Sequence, residues 1–566
     1  MSDLQHISLH EPTSRSEATS LGWPYALAAL LLLLPFFAAL VAAVGFAAGL
    51  PISPYHLWIS AALAALATWA VAGAEGIGRR ERTVVVAAGI GLVLLSLSLA
   101  HAAWDLSYDG QAYHQSSVRL LASGWNPLRH SLTPAETTHG LWLDHYVRAI
   151  ELGAATVTAA TGSIEAGKAS GLWLLVAATV LCASTLRRAG LGRAPAAGAA
   201  LIVVASPIVL SQLPTYYVDG QLALVLACAV ALAWMAARGE ARTAPLLLAV
   251  ALALLANVKF TATVYAALIL AGYALTALRG AETRRRARTG LVAALALAGT
   301  LAIGWQPLVT NALDHGHPFH PVAGPSRVDG LSGQTPRFRH RDPLRRLLES
   351  TFSASRSAHV TATLKLPVVV EPQELAAMTV PDVRVGGFGP LFALGVVLAL
   401  LGAAALPWSR PGAASRAAIA VAGGLLVTAL INPGAWWARF VPQLWIAVGV
   451  ASVAAAAARS PARWLGLAAL AALACDTGLV AACTVHHQAV TQVAAAAQGR
   501  ELARRHRVVD LPRGEMESLD LRLARSGVPA RYVASCSPTA PLVGTYADYC
   551  SGAPEPPPPA AAVSRP

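Results

Sequence analysis

From residue 24 to residue 483 the chain alternates long apolar runs, rich in Ala, Leu and Val, with short polar breaks. Runs close to the length of about 20 residues that crosses a bilayer as a helix predict an all-α polytopic membrane protein with about 13 transmembrane helices. The predicted spans are 24–47, 56–74, 84–101, 168–186, 194–213, 219–237, 244–257, 261–278, 290–308, 386–407, 416–432, 440–458 and 463–483. The breaks carry a second pattern. GRRERT, RRAGLGR, RGEAR, RGAETRRRARTG, SRPGAASR and ARSPAR fall on one side under this single span assignment. Basic residues mark the cytoplasmic side, so the shared side fixes the orientation. The chain then divides into a cytoplasmic N-terminal tail (1–21), a transmembrane region (22–484) and an extracytoplasmic tail (485–566), with long outer loops at 102–165 and 309–385. The tail ends in the Pro-rich PEPPPPAAAVSRP, expected to be disordered. Its middle, ELARRHRVVDLPRGEMESLDLRLARSG, suits a small helix-containing cap.

Composition agrees with this. Only 13% of residues are charged, roughly half the usual share of a soluble domain, which is about 25%. The net charge of +13 does not point to nucleic acid, because the basic residues sit in the short breaks between spans. Six cysteines are too few for a disulfide scaffold. Cys182, Cys228, Cys475 and Cys483 lie in or beside apolar runs and read as inert. Cys536 and Cys550 share the polar tail and are available to pair outside the cytoplasm. Phosphate-cradling Gly-rich loops, HExxH, GxSxG and paired CxxC motifs are all missing from the sequence.

The first outer loop holds the main chemistry. It opens with Asp105 and Asp109 directly after an apolar run, and carboxylates pinned at a membrane edge suggest a site. From Asp109 the pattern predicts a short interfacial helix, with Asp109 as its N-cap, Tyr113, Ser117 and Leu121 on one face, and Gly124 at its end. Trp125, Trp142 and Tyr146 are amphipathic rings of the interfacial type. The topology brings His114, Asp144, His145, Arg148 and Glu151 to the same face, and later outer turns add Asp219, Lys259, His315, His317, His320 and Arg439.

DGQAY (109–113), GW (124–125) and DHYVRAIE (144–151) resemble the first outer loop of GT-C membrane glycosyltransferases. In the lipid-linked pentose transferases and protein mannosyltransferases of that superfamily, an Asp-Glu-x-x-Tyr element leads through a Gly-Trp turn to a Lys-Pro-Pro segment. Here Gly110 stands in place of the second acid, Lys-Pro-Pro is missing, and the loop follows the third predicted span instead of the first. NALDHGHPFHPV (311–322) and WWARFVPQLW (436–445) are similar to phrases in bacterial membrane proteins of this type. The resemblance implies a GT-C-like fold in the plasma (inner) membrane, working on its periplasmic or extracellular face. It also implies a polyprenyl-phosphate sugar donor and a glycan, lipid or protein acceptor.

The residues suit that chemistry independently. A phosphate is a good leaving group, so sugar transfer from it needs one base for the acceptor hydroxyl, with cations for the departing charge. Asp109 is the first candidate base and Asp105 the second, each with a structural alternative as helix cap or hydrogen-bonding support. Arg439, Lys259 and Arg148 are the candidate phosphate ligands, each at an outer helix end, and Tyr113, His114, His145, Asp219 and His317 complete the candidate binding set. No cofactor is expected and no metal site is assigned, although HGHPFH offers three imidazoles. A lipid-linked glycan polymerase or ligase, or a transporter or flippase of lipid-linked sugars, is the alternative. The conduit reading needs polar or broken helices near the midplane, whereas here the polar residues gather at one edge.

Overall fold

The computed structural model describes residues 22–278, 283–328, 341–357, 362–409, 411–505 and 508–552. The predicted tail 1–21, part of the RGAETRRRARTG turn and the Pro-rich end lie outside the described residues. Among the described residues, nine helices are long and apolar enough to cross a membrane. Four shorter apolar helices, Arg193–Val204, Ala244–Ala256, Phe260–Thr276 and Gln443–Ala456, lie between them. The fold is all-α and polytopic, with only short strands at the C-terminal end.

The first helix, Gly22–Ala47, is apolar on every side, and that composition places it in the centre. It packs against Pro54–Ala74, Arg79–Ala102, Ala149–Thr161, Ser170–Arg188 and Thr283–Gly304. Other helices keep one face outward. Leu94, Leu95 and Leu99, with Trp58, Leu66, Leu297, Leu401 and Trp464, are exposed. So large an exposed apolar surface is expected where lipid, not water, is the surrounding medium.

Contacts sort the two ends of the bundle. At one end the Thr243 backbone N–H and hydroxyl donate to Glu75 Oε1 at 2.8 and 2.7 Å, and Tyr25 pairs with Thr243 at 3.1 Å. At the other end the long loops meet. Asp109 reaches Arg439, His145 reaches Asn311, and the backbone N–H of Ala149 donates to Asn257 O.

The last helix runs on past the predicted span. The run predicted to end at residue 483 continues as a single helix, Ala462–Arg505, of 44 residues. At 1.5 Å per residue that is about 66 Å, more than twice the hydrocarbon thickness of a bilayer. His486, His487 and Gln488 end the apolar pattern, but no Gly or Pro follows them closely enough to break the helix. Its polar half rises beside the first loop, where Gln492 Oε1 accepts from the Trp104 N–H at 2.7 Å.

Beyond it the tail folds as a small module on the first loop. Strands Val509–Pro512 and Ala530–Val533 pair in parallel, Thr539–Pro541 and Asp548–Cys550 pair antiparallel, and a disulfide joins Cys536 to Cys550. Its apolar side, including Leu502, Leu511, Met516 and Leu523, packs on Ala112. Polar contacts add to this. Glu517 accepts from the Thr137 hydroxyl at 2.6 Å, Arg119 pairs with Asp520 at 3.2 Å, and the Tyr108 hydroxyl donates to Glu515.

Candidate active site

The segment after Asp109 is helical but differs from the predicted capped helix. Gly110–His114 forms a π-turn and Gln115–Ala122 an α-helix, closed by Gly124 at φ +106°. Asp109 makes no side-chain cap bond. Its backbone is already helical (φ −61°, ψ −32°), whereas an N-cap needs an extended residue. The freed carboxylate turns to Arg439, whose Nη1 donates to Oδ2 at 2.7 Å. π-turns of this kind concentrate at functional sites.

Arg439 is the hub. It lies in a short turn, Ala438–Phe440, just before the helix Gln443–Ala456. Besides Asp109 it faces Asp219 at 3.7 Å and Asp382 at 3.3 Å. Its guanidinium lies over the rings of Trp437 at 4.3 Å, Tyr217 at 5.0 Å and Phe440 at 5.3 Å. Asp219 opens the helix Asp219–Arg238, where the positive end of the helix dipole favours an acid. Lys259 occupies the break between helices Ala244–Ala256 and Phe260–Leu278, binds Asp219 at 2.6 Å and stands over the Phe440 ring. Arg384 neighbours Asp382 at 3.6 Å. The result is an alternating cluster of three carboxylates and three cations, mostly buried.

Environment drives the carboxylates apart. At Asp109 burial favours the neutral acid, but the charge and hydrogen bond of Arg439 outweigh it, so the group titrates below the ordinary aspartate range. At Asp382 burial wins over Arg439, and the carboxyl is pushed up. For Arg439 burial works against the charge, yet Asp382 and Asp109 hold it well above the usual value. The Tyr113 hydroxyl hydrogen-bonds Asp109 and lowers it further. Two acids beside one arginine, shifted in opposite directions, form the kind of pairing from which acid–base chemistry is built.

Of the residues picked out in the sequence, Asp109, Tyr113, Asp219, Lys259 and Arg439 come together in this cluster. His114 stands one ring away, 4.4 Å from Tyr113, and its Nδ1 meets Glu151 at 2.7 Å. Asp105 is apart from them. Its Oδ1 accepts from the Ser107 N–H at 2.7 Å and its Oδ2 from the Tyr216 N–H at 2.7 Å, beside the buried Glu165–Lys168 pair. Burial pushes Asp105 up, and its contacts are those of a brace holding the Asp109 turn against the Tyr216–Tyr217 loop. A Cβ at Gly110 would lie 2.0 Å from Asp105 Oδ2. A side chain larger than that of glycine therefore has no room at this position.

Arg148 is buried over Trp125 at 4.9 Å, and its Nη2 donates to the Asp144 carbonyl at 3.0 Å. Trp125 is a packed ring whose Nε1 donates to His130 O, not an interfacial anchor. His145 leaves the cluster for the second loop and meets Asn311 Oδ1 at 2.8 Å. His317 Nδ1 accepts from the Phe319 N–H. Sequence reasoning missed Asp382, Arg384, Tyr217 and Trp437. PDVR (381–384) reads like any turn in a long polar loop, and only its place just before a span hinted at more.

A groove of about 870 Å³ lies elsewhere. It is an apolar groove between Cys182, Leu186, Trp234, Ala418 and Val450, without any residue of the ion cluster.

No family model matches the chain, and no curated protein matches it. Among solved structures, the fold is similar to the crystal structure of ArnT from Cupriavidus metallidurans bound to undecaprenyl phosphate. Identity is 14%, over 78% of this chain and 89% of that one, at a TM-score of 0.41.

Proposed function

We propose that the protein is a GT-C-type glycosyltransferase of the plasma (inner) membrane. It moves a sugar from a polyprenyl-phosphate donor to a glycan, lipid or protein hydroxyl on the extracytoplasmic face. The observation that carries this reading is Arg439, shared by Asp109, Asp219 and Asp382 with Lys259 alongside. A base and two cations at the outer helix ends suit a reaction between a lipid-anchored phosphate ester and a water-borne acceptor.

The acceptor oxygen attacks the anomeric carbon as its proton passes to the Asp109 carboxylate. The bond from that carbon to the phosphate oxygen breaks, and the phosphate leaves with the electron pair. One displacement inverts the anomeric centre. Arg439 and Lys259 neutralise the charge gained by the phosphate, with hydrogen bonds worth most in a site shielded from water. A donor phosphate also competes with Asp109 for Arg439. Drawing the guanidinium away removes the contact that depresses Asp109 and raises its basicity once donor is in place. Asp105, bonded to Ser107 and Tyr216, acts as a positioning residue for the Asp109 turn.

The test is sugar transfer by purified protein in nanodiscs supplied with polyprenyl-phosphate sugars. Asp109→Asn is expected to retain donor binding and lose turnover, while Asp105→Asn lowers turnover through its fold. A wild type that binds and consumes no such donor removes the proposal.

A further inference from the structure

Beside the ion cluster, three histidines from the two outer loops converge. His145 ends the short helix Gly140–His145, and His315 and His320 belong to the HGHPFH turn of the second loop. One ring nitrogen from each lies within 4.8 Å of the other two. The His315 and His320 rings stack at 4.0 Å, and both meet the His145 ring edge-on, at 4.7 and 4.8 Å. His320 is buried and the other two are half-buried.

We infer that His145, His315 and His320 bind a divalent transition-metal ion of the zinc class. Three imidazoles with a water in the fourth position make a standard open tetrahedral set. All-nitrogen ligation selects such an ion over Mg²⁺ or Ca²⁺, which require oxygen.

The surroundings argue for more than a chance gathering of rings. A metal-binding imidazole donates its second ring N–H to an oxygen, which fixes the tautomer and leaves the opposite nitrogen free to coordinate. His145 Nδ1 lies 2.8 Å from Asn311 Oδ1, and His320 Nδ1 lies 3.2 Å from the Ser326 hydroxyl. Asn311 is itself buried and fixed. Its Nδ2 donates to the carbonyls of His145 at 3.0 Å and His320 at 2.8 Å, tying both ligand-bearing backbones to one side chain. Bonds of about 2.0–2.1 Å in a tetrahedron set nitrogens about 3.4 Å apart, so side-chain rotations on the order of 1 Å close the set.

The ion would clamp the two outer loops together one residue from Tyr146, whose ring packs on Phe260 at 4.6 Å, next to Lys259. His317 takes no part, although its spacing in HGHPFH suggests it as readily as its neighbours.

Protein purified through a tag without histidine is stripped with chelator and titrated with Co²⁺, read by its visible ligand-field absorption. About one equivalent is expected, with X-ray absorption showing three imidazoles. His315→Gln and His320→Gln should abolish the band, Asn311→Ala should weaken binding about 10–100-fold, and His317→Gln should leave it unchanged. Wild type that takes up no stoichiometric Co²⁺, or an absorption edge lacking imidazole scattering, overturns the inference without reference to any variant. So does a His315→Gln protein that binds as tightly as wild type. The readout is metal binding alone, so it stands or falls apart from the glycosyltransferase proposal.

Discussion

Replacing Arg439 with Gln tests whether the cluster is organised as described. The Nη1 to Asp109 contact of 2.7 Å sets the two charge centres about 4 Å apart, and at an effective dielectric near 20 that attraction is about 4 kcal/mol. Both side chains are well buried, so breaking the pair leaves a carboxylate that water cannot fully rescue, at a cost of about 3–5 kcal/mol. The other two carboxylates are better protected. Asp219 keeps Lys259 at 2.6 Å and Asp382 keeps Arg384 at 3.6 Å, whereas Asp109 retains the Tyr113 hydroxyl and the more distant His114 ring. The loss should therefore fall on Asp109.

A double-mutant cycle isolates it: wild type, Asp109→Asn, Arg439→Gln and the double variant, unfolded in mixed micelles by titrated denaturing detergent. At neutral pH Arg439→Gln should lose about 3–5 kcal/mol. Asp109→Asn should lose less, because Arg439 keeps two carboxylates, and the coupling should be about 1–3 kcal/mol. Its pH dependence has a definite sign. Asp109 has a folded-state value below its unfolded one, so its contribution is complete above the ordinary aspartate range and disappears as pH falls through the lowered value. With Arg439 removed, burial dominates, and the acid limb of any Asp109-dependent activity moves upward. A coupling below about 0.5 kcal/mol at neutral pH would refute the reasoning. A coupling that does not decline on acidification would do the same.

Lys259→Met strands one side of Asp219 but leaves Arg439 facing it, so stability should fall by less than in Arg439→Gln. Turnover should drop about 10²–10³-fold, as for the loss of one charge-stabilising donor, measured under single-turnover conditions. Gly110→Ala sets a methyl group 2.0 Å from Asp105 Oδ2, and overpacking should destabilise the protein by about 1–3 kcal/mol in thermal unfolding. Combining it with Asp105→Ala, which removes the obstructing oxygen, should restore part of the loss. Replacing Cys536 and Cys550 with Ser frees the terminal hairpin, so limited proteolysis should trim it while the helical region keeps its melting temperature.

The membrane architecture was legible in the sequence because its signals are local and strong. An apolar run of bilayer length states its own position. The ion cluster was legible in half. Asp109, Asp219, Lys259 and Arg439 stand out as charges at the ends of apolar runs, where a charge is costly without a partner. Their partners are another matter. Asp109 meets Arg439 across 330 positions, and Asp105, four residues from Asp109, turns instead to Ser107 and Tyr216. No periodicity within one segment separates these two aspartates. Gly110 held the clue in retrospect, since a Gly directly after the first acid means that another side chain fills the space where a second would go. Asp382 and Arg384 carried no comparable signal, because a long polar loop hides a buried charge pair among solvated ones. The end of the last helix was not legible for a related reason. Loss of hydropathy marks where a helix leaves the membrane, and a helix stops only where a cap or breaker stops it.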